Sequence, residues 1–102
     1  MINPQMIKKI QKMQEDLKKA QSEINASTFY GQAGGSVVKV AVKGTKEVVS
    51  IEIKKDEIDL SDIEMLQDLL VVALNDAFKK VDKELEETLG TVTQGMKMPG
   101  MF

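Results

Sequence analysis

The apolar positions of this chain change period as it is read from one end to the other. Met6, Ile10, Met13, Leu17, Ala20 and Ile24 recur at alternating spacings of four and three. At one residue per 100° they stay within about 40° of a single line, the narrow seam of a helix that packs along a neighbour. Asn3-Pro4 supplies the start, with Asn as N-cap and Pro at the first helical position. The spacing predicts a helix over roughly residues 3–25, about 33 Å long.

From there the period falls to two. Thr28-Phe29-Tyr30 is β-favouring and leads into the glycine-rich Gly31–Gly35, so a short first strand is expected. Val38, Val40 and Val42 then share one face, with Val37, Lys39, Ala41 and Lys43 on the other. Val49, Ile51 and Ile53 alternate with Val48, Ser50, Glu52 and Lys54. A four-residue loop at 44–47 pairs Val42 with Val49, Val40 with Ile51, Val38 with Ile53, and Lys39 with Glu52. Each run has one apolar and one mixed face, which predicts an antiparallel hairpin.

The helical period returns after Ser61-x-x-Glu64, a capping box. The stripe Ile63, Leu66, Leu70, Leu74, Ala77, Val81, Leu85 runs towards Gly90, which sits where a C′ glycine belongs. A second stripe, Met65, Leu69 and Val72, lies on roughly the opposite side of the first half. Residues 1–90 are expected to form a single α+β domain, ordered α-β-β-β-α: two long helices with a three-stranded antiparallel sheet. Residues 91–102, rich in Met, Gly and Pro, read as a flexible tail.

Strands of about seven residues span roughly 23 Å, whereas the last helix spans roughly 42 Å, so both helices overhang the sheet. A helix apolar on two sides wants a cover on two sides. One reading is a homodimer with Met65, Leu69 and Val72 in its interface. The other is that the two helices cover each other within one subunit.

Composition changes this picture in one respect. The formal charge is only −2, with a pI near 5.2. Residues 1–55, however, carry ten Lys against five acids, and residues 56–89 carry three Lys against eleven. Because fields act within about 8 Å at physiological salt, a fold that separates these halves presents a cationic face. The chain has no Cys, His, Trp or Arg. Thiolate chemistry is excluded, and every cation is a Lys, a point charge without the guanidinium fork that reads guanine, so any contact with nucleic acid should be mostly to phosphate. No stretch suits a membrane span, the N-terminus does not read as a signal peptide, and a cytoplasmic location is expected.

Lys8, Lys9, Lys12, Lys18 and Lys19 lie off the seam of the first helix. Spacing allows Lys12 to meet Asp16, and Lys19 to meet Glu15 and Glu23. Lys8 and Lys9 have no such neighbour and sit near the positive end of the helix dipole, which makes an anion-attracting tip. Lys39 and Lys43 mark the hairpin as a secondary contact. The same residues also suit a merely solvated helix face and an edge guarded against aggregation. The acids Asp56, Glu57, Asp59, Asp62 and Glu64 lack EF-hand spacing and suit helix capping better than a metal. Met96, Met98 and Met101 are a weak soft-metal signal. No catalytic group, cofactor, metal or small-molecule substrate is expected, and the chain does not read as an enzyme.

The stretch from Asp62 to Ala77, through Glu64, Met65, Leu66, Asp68, Leu69, Ala73, Asn75 and Asp76, resembles the signature helix of the YbaB/EbfC family of bacterial nucleoid-associated proteins. Gly34-Gly35-Ser36-Val37-Val38-Lys39-Val40, Gly44 and the ending Gly95–Met101 are similar to that family too. The resemblance implies a homodimer with helical arms that binds double-stranded DNA in the nucleoid. Relatives often place Arg among their lysines, and this chain has none. The rival function, from a different class, is an adaptor whose helices dock another protein.

Overall fold

The structure, a computed structural model, describes residues 3–94. Helix α1 (Pro4–Ala26) is followed by strands β1 (Thr28–Ala33), β2 (Val38–Lys43) and β3 (Val48–Ile53), a 3-10 turn (Lys55–Glu57), and helix α2 (Ile63–Gln94). The expected α-β-β-β-α order is observed, with an antiparallel sheet in the order β1-β2-β3. Asn3 caps α1 as expected: its side chain accepts a 2.8 Å hydrogen bond from the Met6 amide, and Pro4 follows in the first turn.

Core formation follows the alternation. Val38, Val40 and Val42 are fully buried, facing Ala73, Ala77 and Val81 of α2. In β1 the same face carries Phe29, Gly31 and Ala33, each opposite one of those valines. Gly31 is the point of closest approach between helix and strand. A Cβ built there would overlap the Ala73 carbonyl oxygen and lie 2.6 Å from the Ala77 nitrogen. Ala73 and Ala77 are fully buried at that contact, so small residues on both elements let α2 lie directly on the sheet.

Four expectations need correction. The hairpin register holds for Val38–Ile53, Lys39–Glu52 and Val40–Ile51, but Val42 pairs with Val48, not Val49. The turn explains it: Lys46 adopts φ 69°, its amide donates to Lys43 O, and the Lys43 amide donates to Glu47 O. A left-handed residue closing a tight turn inserts a bulge, which leaves Val49 as the extra residue. The cap of α2 is Asp62, whose side chain accepts from the Met65 amide at 3.1 Å; Ser61 instead donates backbone and side-chain hydrogen bonds to Asp59. These two bonds hold the Asp59 carboxyl below its ordinary value.

The helix also does not stop at Gly90 but continues to Gln94, so residues 91–94 of the expected tail are helical; 95–102 lie outside the described residues. Finally, the stripe of α2 is broader than the expected one: Leu66, Leu70, Leu74, Ala77 and Val81 pack in or against the core as read, and Ala73 and Leu69 join them. Ala73 is central to it, Ile63 is exposed, and Leu69 packs on the rim of the core beside Gly34.

Candidate nucleic-acid interface

The shape of the molecule is set by how α1 returns along α2. Phe29 lies beside Lys80, Lys83, Glu84 and Glu87, while Ala20, Glu23 and Ile24 lie beside Glu84 and Thr88. The two helices are therefore antiparallel, and their pairing begins where the sheet ends. The junction is tight: the Gly44 amide donates to Ser27 O, and a Cβ at Gly44 would overlap the Ile24 carbonyl. From this level about ten residues of α2 remain but about twenty of α1, roughly 15 Å against 30 Å. The first part of α1 consequently projects past Gln94. Its seam reflects this: Ile24 is buried, Ala20, Leu17 and Met13 are half-buried, and Ile10 and Met6 are exposed. The molecule measures 68 × 26 × 16 Å, and its radius of gyration is 19.7 Å against roughly 13 Å for a compact chain of this length.

Lys8, Lys9, Lys12, Lys18 and Lys19 all lie exposed on this arm. Among the described residues the ion pairs are Lys46–Asp82 at 2.9 Å and Lys80–Asp76 at 3.6 Å. The expected pairings of Lys12 with Asp16 and of Lys19 with Glu15 and Glu23 do not form. Exposed i,i+4 pairs are worth only about 0.3–0.5 kcal/mol, too little to hold two flexible side chains together. The arm lysines thus keep their charge unneutralised by direct contact.

Charge segregation is graded along the arm. At its base, Glu23, Glu84 and Glu87 stand among the lysines. Glu87 is the last acid of α2, opposite the region of Ala20, and Lys8 is twelve residues further out. That is about 18 Å along the helix, beyond a screening length of about 8 Å. The distal tip, with Lys8 and Lys9, is the clean cationic surface; Lys12 stands within about one turn of Glu15 and Asp16.

Lys39 and Lys43 fall elsewhere. They point to the face of the sheet opposite α2, in register with Gln32 and Thr28 of β1, with Ala41 between them opposite Tyr30. Glu52 is across from Lys39 on β3. The structure therefore does not merge the predicted lysines into one patch: five are on the arm and two on the open sheet face. The pattern also hid a role for Asp76 and Lys80. Asp76 Oδ2 accepts the outward-facing Gln32 amide at 3.2 Å, and Lys80 Nζ donates to Tyr30 O at 2.6 Å. One turn of helix thus takes up two of the outward backbone groups on the free edge of β1.

Over residues 2–96 the sequence matches the profile of the YbaB/EbfC DNA-binding family. The chain belongs to that family. A nucleoid-associated protein of Pelotomaculum thermopropionicum is 43% identical over 97 residues, covering 95% of this chain and 92% of that one. One of Oceanobacillus iheyensis is 45% identical over the same length, covering 95% and 93%. One of Bacillus licheniformis is 51% identical over 80 residues, covering 78% and 75%. The crystal structure of an uncharacterized protein from Helicobacter pylori shares the fold at a TM-score of 0.67 and 24% identity, covering 94% of this chain and 98% of that one.

In this YbaB/EbfC member, the expected dimer residues are divided by their surroundings. Met65 and Val72 are exposed, Val72 at 55%, whereas Leu69 is half-buried. A second apolar surface is the core-side face of β3, where Val48 and Ile51 stay exposed because α2 lies over β1 and β2. The acids near α2 have local work: Asp59 binds Ser61 and Asp62 caps the helix. No helix among the described residues is long and apolar enough to cross a membrane.

Proposed function

We propose that this chain is a nucleoid-associated protein of the bacterial cytoplasm that binds duplex DNA as a homodimer, with little sequence preference. The observation that carries this reading is the arm: five exposed lysines without an ion-pair partner among the described residues, ending in an acid-free tip. Such a surface binds by displacing condensed counterions from phosphates, a term indifferent to sequence. Lysine ammonium groups, with no arginine in the chain, suit phosphate contact better than base readout. Lys39 and Lys43 are a secondary contact. A second copy is the occupant for the exposed apolar surface around Met65 and Val72, with Leu69 at its rim. Two copies give two arms and bring two tips to one duplex, which permits bending or bridging. Binding, and not catalysis, is the activity.

The test is a mobility shift on unrelated duplexes across a salt series, paired with sedimentation mass. For every phosphate no longer neutralised, the slope of log K against log salt becomes shallower by about 0.9. Lys8→Glu with Lys9→Glu should weaken binding to all duplexes alike, and flatten that slope by about 3–4 if all four lysines of a dimer touch phosphate. A double variant that retards DNA like wild type removes the tip from the contact. Wild-type protein that retards no duplex even at low salt favours the adaptor reading, and single subunits at working concentration refute the dimer.

A further inference from the structure

We propose that the open face of the sheet binds an unpaired polynucleotide strand, with one base stacked on Tyr30 and the flanking phosphates held by Lys39, Lys43 and Lys80. This rests on the nucleic-acid reading above and goes beyond it, because duplex binding makes no use of Tyr30.

Tyr30 is 65% exposed, on a face that no other element of the subunit covers among the described residues. Its cross-strand partner is Ala41, small and buried, so the ring stands over a flat floor with no bulky side chain opposite. Lys39 and Lys43 are its two diagonal neighbours, within about 7–8 Å. They are separated by four residues of one strand, about 13 Å, so a strand crossing the ring meets a cation on each side. Beside Tyr30 the surface dips into a cleft of about 430 Å³ lined also by Gly31, Gln32, Lys39 and Lys80. The ammonium of Lys80 bonds Tyr30 O and faces Asp76, which leaves one of its three donors for a ligand. Of the three nearby carboxylates, Asp76 is engaged by the Gln32 amide and Lys80, Glu52 stands across from Lys39, and Glu47 is the residue across from Lys43. Gln32 adds a side-chain amide able to meet a base edge.

An aromatic ring with cations at strand spacing is the arrangement that takes bases by their faces, and it tolerates any base. Bases in a duplex present only their edges, so this face selects unpaired strands. Tyr30 is the only Tyr of a chain with no Trp, and its emission therefore reports the proposed contact directly.

The experiment titrates the full chain with short oligothymidylate, oligouridylate and a duplex, reading Tyr30 emission and, separately, anisotropy of labelled strands. Quenching by either single strand supports the proposal. Tyr30→Ala should weaken single-strand binding about tenfold or more, Tyr30→Phe should stay near wild type, and both should bind duplex as wild type does. Unquenched emission with the strand bound, or a Tyr30→Ala variant that binds it undiminished, overturns the proposal. So does emission that changes with protein concentration alone, which would give the face to a second copy. If wild type binds duplex but neither single strand, this inference fails and the arm reading stands; if it binds neither form, both fail.

Discussion

Replacing Gly31 by alanine tests the contact on which the whole arm is mounted. The new methyl group would overlap the Ala73 carbonyl oxygen and come within 2.6 Å of the Ala77 nitrogen and 2.9 Å of its Cβ. The carbonyl and the nitrogen belong to the backbone in the middle of a 32-residue helix, so no rotamer change relieves the overlap. The helix must lift off the sheet, opening gaps over Val38, Val40 and Val42, all at most 1% exposed. Overpacking of this kind costs about 1–3 kcal/mol, and the upper end applies where backbone must yield. Alanine recovers about 0.4–1 kcal/mol through a less flexible unfolded chain, leaving a net loss of about 2 kcal/mol. At roughly 4–8 °C per kcal/mol for a domain of this size, the melting temperature should fall by about 8–16 °C. Gly90→Ala is the control. Its Cβ meets nothing within 4 Å in a helix interior, so this change should raise the melting temperature slightly. Thermal melts followed by circular dichroism decide it: a Gly31→Ala protein melting within about 2 °C of wild type would show that α2 does not lie on the sheet as described.

Two smaller effects follow from the entry to α2. Asp62→Ala removes the cap from the Met65 amide and should cost about 1 kcal/mol, visible as a loss of about 4–8 °C in the same melts. Asp59 titrates below the ordinary 3.8 because Ser61 donates to it twice, from side chain and backbone. Its stabilising effect is therefore present above that pH and lost as pH falls through the lower folded-state value. Ser61→Ala should remove part of this dependence by lowering stability slightly near neutrality, where Asp59 is ionised, while leaving it unchanged at the acidic end, which denaturation midpoints from neutral to acidic pH would measure.

How far the chain discloses its own structure depends on which interactions are local. The N-cap at Asn3, the seam from Met6 to Ile24 and the valine alternation in β2 are set by neighbours in sequence, and each yields an element where expected. The departures arise where a distant contact or a single backbone angle decides. Lys46 in the left-handed region shifts Val42 onto Val48, and a side-chain parity rule contains no trace of that angle. Ser61 and Asp62 are equally good caps by composition, and the bond from Ser61 to Asp59 selects the second. Gly90 reads as a stop, yet the helix runs on to Gln94 in spite of a propensity cost of about 1 kcal/mol. For the candidate site, the arm lysines can be named from their places off the seam. Their division from Lys39 and Lys43 cannot, because it depends on where the sheet stands relative to the arm. Tyr30 escapes notice for a similar reason: its facing becomes clear only once its register with Ala41 is known.

The side chains of Asp76 and Lys80 that close off β1 have a consequence for molecules crowded along a chromosome. A sheet with two open borders can add copies at both and grow into a fibre. Here two outward groups of one border, the Gln32 amide and the Tyr30 carbonyl, are already taken by the subunit's own helix, which leaves β3 the more open border for strand addition. Growth through a single border ends after one step, because β3 meeting β3 leaves nothing further to extend. However densely these molecules gather, assembly through β3 alone halts at a pair.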